Sequence, residues 1–284
     1  KYYVGSDVKI QVTTEKSFTV TGLVDGTEYT NIKVTVYVDS NLYKDSNVEN
    51  ITTPMIGEIL YSWDELSEIA HAISDTPTIT SDSEEASVTV KGQVKTLKVG
   101  DVKKIDGKKV RVLGFNHDDL TDIGAYGGTN TKAGISFEYV DPIDIDGKGK
   151  TTMEMNRNIT NSGGWGASNL RTTLNKTSYN LLSIKDKIKA VNKKYIATYS
   201  SDVESICSDK LWLLSCGEIW SSGVGGGNTR GYSKNTEGSQ YEYYKLGDQV
   251  WNQESNYTKK PDANKSVAWW LRSTRFMDNQ GFCS

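Results

Sequence analysis

The first forty residues alternate between apolar and polar positions with a period of two. The segments VKIQV from Val8, SFTVTGL from Ser17 and NIKVTVYV from Asn31 each place their apolar side chains on one face. This alternation is typical of half-buried β-strands. The sequence therefore predicts β structure for this part of the chain.

A turn closed by a tyrosine follows the second of these strands. Leu23, Gly26 and Tyr29 have the spacing at which a tyrosine ring can be buried while its hydroxyl returns to the backbone. This is the tyrosine corner of immunoglobulin-like sandwiches, and the segment resembles the late strands of a fibronectin type III module. Because a complete sandwich of that kind needs about 100 residues, residues 1–54 are predicted to form a partial, all-β module of antiparallel strands.

The pattern then changes to a helical period. Ser62 and Glu65 have the spacing of a capping box, and an apolar stripe follows at i, i+3, i+4 and i+7, namely Leu66, Ile69, Ala70 and Ile73. Alternating segments joined by tight turns come next, with VKGQV and IDGKKV as candidate hairpins. Residues 55–95 are therefore predicted to be a connecting helix and the start of a second β unit.

Two further segments have a readable pattern, and one long segment has none. Residues 179–191, YNLLSIKDKIKAV, predict a helix with Leu181, Ile184, Ile188 and Val191 on one face. The segment KLWLLSCGEIW predicts a buried strand that leads into a helical turn. Residues 221–265 are rich in Gly, Asn, Ser and Tyr and have little periodicity, which predicts long loops.

Composition narrows the classes of partner. The chain has 33 basic and 36 acidic residues and no basic cluster, so a nucleic-acid partner is not expected. No apolar run approaches the roughly 18 residues that span a bilayer, so membrane insertion is not expected either. Sixteen Tyr, seven Trp and 26 Gly favour short strands and polar loops, as in surface recognition domains.

Candidate chemistry is sparse. Asp144 and Asp146 precede Gly147, but a calcium loop aligned on that glycine would need an acid where Met153 stands, so a hairpin turn is favoured. Cys207, Cys216 and Cys283 have neither zinc nor redox spacing and are expected to be buried apolar residues. No metal and no cofactor are predicted.

One histidine lies beside carboxylates. His117 precedes Asp118 and Asp119 and could act as a general base, but the sequence identifies no nucleophile to match it. Hydrogen bonding within a turn after a buried strand is the favoured interpretation of these residues.

Six separated motifs occur in the order LGFNHDDL, AGISFEYVD, MNRNITNSGGWGASNLRTTLN, DKLWLLSCGEIW, EGSQYEYYK and WWLRST. Together they resemble a family of domains at the ends of surface proteins and prophage tail proteins of Gram-positive bacteria, over residues 62–284. The resemblance implies an α+β chain with a C-type-lectin-like (formylglycine-generating-enzyme-like) domain and long loops over residues 96–284. Family members usually continue past the WWLRS strand, so this domain is expected to be incomplete at its C-terminal end.

Residue type and the resemblance together predict roles for the large aromatic side chains, for Arg272 and for the residues after the last motif. Large side chains are expected to act as structural anchors, namely Trp165, Trp212, Trp269, Trp270 and Arg272. The mixed run after the last motif is expected to display a ligand-binding surface, namely Thr274, Arg275, Phe276, Met277, Asp278, Asn279 and Gln280. In related lectin-fold proteins such a segment can be diversified by retroelements.

The expected function is therefore a non-enzymatic receptor-binding or adhesion module on a phage tail tip or a bacterial surface. Its partners would be a host-cell receptor, glycan or protein, and other tail or surface proteins, and it could be a homotrimer. Two alternatives stay open: a structural tail or cell-wall component without a ligand, and an enzyme of the formylglycine-generating type, which would need reactive cysteines and a metal.

Overall fold

The chain divides into two compact units, Lys1–Glu58 and Ile59–Ser284. The computed structural model describes residues 57–197, 204–220, 237–246 and 270–274, and elsewhere the backbone of strands at 2–4, 7–9, 28–32, 35–38, 41–45, 49–52, 259–262 and 265–267. Both helices and antiparallel sheets occur among these residues, so the chain belongs to the α+β class. Residues 59–95, which the sequence assigns to a connecting segment, lie within the second unit.

Among its described residues, the first unit has six short strands: β1 (Tyr2–Val4), β2 (Asp7–Lys9), β3 (Glu28–Ile32), β4 (Thr35–Val38), β5 (Asn41–Asp45) and β6 (Glu49–Thr52). Four of them form a sheet in the order β2-β1-β3-β6, and β4 pairs with β5. Every described pairing is antiparallel, as the alternating pattern predicts. Leu23 and Gly26 of the predicted tyrosine corner lie outside the described residues.

The second unit begins with the helix that the apolar stripe predicts. Helix α1 spans Trp63–Ser74, and the Ser62 side chain and the Glu65 side chain each accept a hydrogen bond from the other residue's backbone N–H. These two bonds satisfy N–H groups that a helix start leaves without partners. The four stripe residues are buried, so the helix packs along the predicted face.

Replacing Ser62 by alanine is expected to lower the free energy of unfolding by about 1 kcal/mol, the usual cost of losing an N-cap side chain. Urea unfolding of the two proteins measures the difference. Ser162→Ala is the control, because Ser162 is exposed and lies in a turn outside any helix. Equal losses for the two variants would show that the capping box contributes nothing specific.

Two hairpins follow the helix, as predicted. β7 (Glu85–Val90) pairs with β8 (Gln93–Lys98), and β9 (Val102–Ile105) pairs with β10 (Lys108–Phe115). The two residues of each turn have positive φ: 51° and 76° at Lys91 and Gly92, and 49° and 80° at Asp106 and Gly107. This backbone suits the twist of a two-residue hairpin and explains the glycine at the second position.

Strand β10 is the central strand of a three-stranded sheet in the order β11-β10-β9, where β11 spans Ile135–Tyr139. The β10–β11 register shifts between Val112 and Gly114, which marks a bulge. Residues of α1, β7, β8 and β10 form one core cluster with Ile69, Leu97 and Phe115 at its centre. The end of β10 then carries residues 116–118 into the interior of the unit.

The helix predicted for residues 179–191 is wrong. Its first residues form a short helix, α4 (Tyr179–Leu181), Lys185–Lys187 form a 3₁₀ turn, and Val191 starts strand β12 (Val191–Ile196). Ile184 is buried in a cluster with Ile105 and Val110, whereas Leu181 is exposed. The apolar residues have helical spacing, but tertiary packing places them in different elements.

The remaining elements are short. β12 pairs with β13 (Glu204–Asp209), and β14 (Lys259–Asp262) pairs with β15 (Lys265–Val267). The helices are α2 (Gly164–Ala167), α3 (Asn169–Thr173), α5 (Cys216–Ile219) and α6 (Glu242–Leu246), and a π-helical turn spans Leu174–Ser178. The residues just before α5 form no strand, so only the helical turn of that prediction is present.

Candidate functional site

Four charged side chains from separate parts of the second unit meet in its interior. Asp118 follows β10, Lys193 lies on β12, Glu218 lies on α5 and Arg272 lies in segment 270–274. Each is buried, with between 0% and 4% of the residue exposed. We call these four residues the buried charge network. It contains two carboxylates and two cations, so its formal charges cancel.

Lys193 lies at the centre of the network. Its Nζ donates to Asp118 Oδ1 at 2.7 Å and to Glu218 Oε1 at 2.6 Å. The Tyr241 hydroxyl accepts from the same nitrogen at 3.2 Å, and the centre of the Trp212 ring lies 4.7 Å away. Because an ammonium group has three N–H donors, all of them have partners here.

Arg272 joins the network to the surrounding backbone. Its guanidinium binds both carboxylate oxygens of Glu218, with Nη2 at 2.8 Å from Oε1. The other N–H groups donate to the carbonyl oxygens of Lys194 at 2.9 Å, Leu213 at 2.7 Å and Glu237. All five guanidinium donors are therefore used, and one side chain joins strand β12 and two other segments around Glu218.

Asp118 accepts hydrogen bonds from several sides. The Tyr241 hydroxyl donates to Oδ2 at 2.8 Å, the Ser136 hydroxyl donates to the same oxygen, and His117 Nδ1 lies 3.4 Å from Oδ1. The His117 and Tyr241 rings are stacked with their centres 3.8 Å apart. His117 and Asp118 therefore form structural hydrogen bonds, as the sequence favours, but with distant partners and not within a turn.

The surroundings shift the pKa of the buried groups. Burial by itself raises the pKa of Asp118, but attraction to Lys193 and the contacts with His117 outweigh it and hold the pKa well below its ordinary value. For Glu218, burial is likewise outweighed by Arg272 and then Lys193, so its pKa is lowered. Burial and the neighbouring Asp118 and Glu218 carboxylates raise the pKa of Tyr241. Asp118 and Glu218 are therefore held as carboxylates.

Ser239, His117 and Asp118 lie in a row. The Ser239 hydroxyl is 3.2 Å from His117 Nε2, and Nδ1 of the same ring faces Asp118. The carbonyl oxygen of Ser239 is closer to Nε2, at 3.0 Å, and competes with the hydroxyl for it. When Nε2 donates its proton to that carbonyl it cannot accept from the hydroxyl, so this arrangement favours a structural hydrogen bond over an activated serine.

An apolar cavity of about 480 Å³ lies in the same unit. Six aromatic side chains line it: Trp63, Tyr126, Phe137, Tyr139, Trp212 and Trp270. Lining residues contact the buried charge network at several points. Ser136 binds Asp118, and the Trp212 ring faces Lys193. The Leu213 carbonyl accepts a hydrogen bond from Arg272. The network therefore stiffens one wall of the cavity.

Three lysines also line the cavity. Lys189 Nζ lies 5.3 Å from the centre of the Tyr126 ring, and Lys210 Nζ lies 4.2 Å from the centre of the Tyr179 ring. The third, Lys187, forms an ion pair with the exposed Asp64. The carboxylates Glu138 and Asp141 line the cavity as well, so its charged lining residues are of both signs.

The structure places the predicted anchors differently from one another. Trp165 and Arg272 are completely buried, and Trp212 is half-buried. Trp270 is 37% exposed and donates its Nε1 hydrogen to the carbonyl of Met153, so it lies at the cavity and not in the core. Trp269 lies outside the described residues.

Of the predicted ligand-binding segment, only Thr274 is described. It is 0% exposed, so its side chain does not face solvent as the sequence predicts for a ligand contact. The segment from Leu271 to Thr274 is buried throughout, which extends the interior beyond the tryptophan pair. Residues 275–280 lie outside the described part of the chain, and their role stays a prediction.

Sequence reasoning missed three members of this site, Lys193, Glu218 and Tyr241. Lys193 has a local signal for burial, because residues two positions apart in a strand share a face and Val191 in β12 is apolar. Glu218 has another, since Ser215 and Glu218 form a capping box at the start of α5. No local signal shows that these side chains meet, because Lys193 and Asp118 are 75 positions apart.

The two described cysteines are unpaired thiols in protein surroundings. Cys207 is half-buried and donates to Asp209 Oδ2 at 3.1 Å, and burial followed by that carboxylate raises its pKa to about 12. Cys216 is buried in α5. Since the thiolate is the reactive form, Cys207 is in an unreactive state at neutral pH.

The fold and site define an α+β domain with a charged interior and an adjacent apolar cavity. The chain belongs to the DUF6273 family, described as a domain of unknown function, and the match covers residues 135–284. This stretch starts at β11 and contains Lys193, Glu218 and Arg272, whereas Asp118 precedes it. No curated protein and no solved structure matches the chain. Among the described residues, no helix has both the length and the apolar character to cross a bilayer.

Proposed function

We propose that the second unit is a receptor-binding or adhesion module with a C-type-lectin-like fold, carried on a phage tail or a bacterial surface. The motif resemblance to surface and prophage tail proteins supports the setting. The apolar cavity supports the activity, and it is the observation on which the proposal depends. In this proposal the cavity receives an apolar group of the host-cell receptor.

The size and lining of the cavity suit a ligand group. Binding pockets for small ligands typically measure about 300–1,000 Å³ and combine apolar walls with a few polar groups. The cavity of about 480 Å³ falls within this range, and its aromatic walls offer stacking surface. Lysine and carboxylate side chains in the lining supply the few polar groups of such a pocket.

The protonated state of the Cys207 thiol favours binding over thiol chemistry at this residue. An enzyme of the formylglycine-generating type would need a reactive thiolate, and the pKa of Cys207 is raised to about 12. The aromatic cavity walls require no reactive group for binding. The state of Cys207 therefore supports recognition over thiol chemistry at that residue.

Filling the cavity tests the proposal. Ser67 lies on α1 and lines the cavity, and Ser67→Trp is expected to weaken binding of the labelled chain to Gram-positive host cells at least tenfold. The reason is that excluding one apolar group costs about 1.5–3 kcal/mol. Binding is measured by flow cytometry across a concentration series, with unlabelled chain as competitor.

Glu68→Trp is the matched control, because Glu68 is the next residue of α1 and does not line the cavity. It forms an ion pair with Lys91, which is largely exposed and contributes little stability. We expect this variant to bind like the unchanged chain. Equal binding by the Ser67→Trp variant would remove the cavity from the proposal, and absence of binding by the folded, unchanged chain would favour a purely structural component.

A further inference from the structure

The buried charge network contains an amine held between two carboxylates, and the proposed binding function does not use it. Lys193 Nζ contacts Asp118 Oδ1 at 2.7 Å and Glu218 Oε1 at 2.6 Å. The side chains of Lys193, Asp118 and Glu218 are 2%, 3% and 1% exposed. Bulk water therefore has almost no access to these groups. Only the Oδ1 atom lies between Lys193 Nζ and the Asp118 carboxyl carbon, Cγ.

We infer that this network is a site of covalent self-modification, in which Lys193 Nζ and Asp118 Cγ form an amide bond. Contact geometry of this kind replaces a bimolecular encounter by an intramolecular one, and such proximity accelerates reactions strongly. The ligand-binding proposal and this cross-link do not depend on each other.

The reaction is a condensation and balances without any further reactant. The Lys193 ammonium and the Asp118 carboxylate become one amide and one water molecule. The C–N bond forms, one C–O bond of Asp118 breaks, and two protons from Nζ leave with that oxygen as water. No oxidation or reduction occurs.

Glu218 is the group that can move these protons. Its Oε1 contacts the same nitrogen that Asp118 contacts, so it can take a proton from Nζ and return it to the departing oxygen. Glu218 ends the reaction as it began, as a carboxylate bound by Arg272. The hydroxyls of Tyr241 and Ser136 donate to Asp118 Oδ2 and can stabilise negative charge on that oxygen while the amine adds.

Electrostatics favours the product. Taking both charges of an ion pair out of water has a large desolvation cost, which their attraction must offset. Amide formation removes one positive and one negative charge from the interior together. The Glu218–Arg272 pair remains, so the network stays neutral after the reaction.

The bond would connect the end of β10 to β12. Asp118 and Lys193 are 75 positions apart, so the amide would close a long covalent loop through the centre of the second unit. A cross-link over such a loop restricts the unfolded chain, as a disulfide does, without depending on redox conditions. Resistance to unfolding under force or heat is the expected benefit.

Mass spectrometry of the purified full chain decides the question. We expect an intact mass lower than the sequence mass by one water molecule. Trypsin does not cleave after an acylated lysine, so the digest should contain a branched peptide in which residues 112–132 are joined to residues 190–194. A folded chain with its full sequence mass and no branched peptide would overturn the inference.

Two variants separate the cross-link from other dehydration. Lys193→Arg keeps the charge but lacks the amine, so it should have the full mass. If this variant also lacks one water molecule, the inference is contradicted, and succinimide formation at an Asp-Gly dipeptide is the alternative. The chain has such dipeptides at Asp25-Gly26, Asp106-Gly107 and Asp146-Gly147. Glu218→Gln should slow the cross-link at least about a hundredfold, the lower end of the range for general acid–base catalysis. An unchanged yield would remove Glu218 from the reaction. The branched peptide in the unchanged chain decides the inference even when a variant fails to fold.

Discussion

Arg272→Met is expected to lower the free energy of unfolding of the second unit by about 3–5 kcal/mol, the usual cost of removing one partner from a buried ion pair. The substitution removes the cation that binds both carboxylate oxygens of Glu218. It also takes a donor from the carbonyls of Lys194, Leu213 and Glu237. Urea unfolding followed by tryptophan fluorescence measures the loss. A loss below about 1 kcal/mol, the level of an ordinary hydrogen bond, would contradict the central place given to Arg272.

Two further variants sharpen this prediction. Arg157→Met makes the same change at an exposed site and should alter stability by less than about 0.5 kcal/mol. Arg272→Lys keeps the charge, but an ammonium has three donors where the guanidinium uses five, so it should recover only part of the loss. Full recovery by lysine would mean that charge alone matters at this position.

The loss should also depend on pH. The pKa of Glu218 is lowered in the folded chain, so its ionised form stabilises the fold above its ordinary value of 4.5, and this stabilisation is lost as the pH falls through the lowered folded-state pKa. In Arg272→Met the cation that lowers this pKa most is gone. The difference in stability between the unchanged chain and the variant should therefore narrow as the pH falls below 4.5.

Local patterns account for the parts of the fold that the sequence predicts. Helix α1 depends on a stripe and a capping box within thirteen residues of chain, from Ser62 to Ser74. The hairpins depend on Lys91-Gly92 and Asp106-Gly107, whose backbone favours a tight turn whatever surrounds it. In each case the information lies within one element and its cap, so neighbouring elements do not alter the outcome.

Residues 179–191 show where local patterns fail. Their apolar spacing fits a helix, but Ile184 packs with Val110 and Val191 pairs in a strand with Asp209. These contacts come from residues far away in the sequence, and their packing outweighs a helix preference of less than 1 kcal/mol per residue. The buried charge network is hidden for the same reason, since its four members come from four separate segments.

Trp165 and Trp270 are both predicted from the sequence to be structural anchors, but replacing them should have different effects on stability. Trp165 is completely buried, and its Nε1 donates to Asp209 Oδ2 at 2.7 Å. Trp165→Ala is therefore expected to lower the free energy of unfolding by about 3–5 kcal/mol, the range for truncating a buried large aromatic residue. Trp270 is 37% exposed at the cavity, so folding removes less of its apolar area from water. Trp270→Ala should therefore lower the free energy of unfolding by only about 1–2 kcal/mol.

Trp165→Phe separates packing from hydrogen bonding at this site. It keeps most of the buried ring area but removes the bond to Asp209, which retains Arg171 as a partner at 2.7 Å. We expect an intermediate loss, about 1–3 kcal/mol, because a polar group loses one of its donors. Thermal unfolding of the three variants measures these losses. We expect the largest loss of stability for Trp165→Ala, and smaller losses, which can be equal, for Trp165→Phe and Trp270→Ala. A larger loss for Trp270→Ala than for Trp165→Ala would reverse the assignment of core and cavity that the burial of these two rings supports.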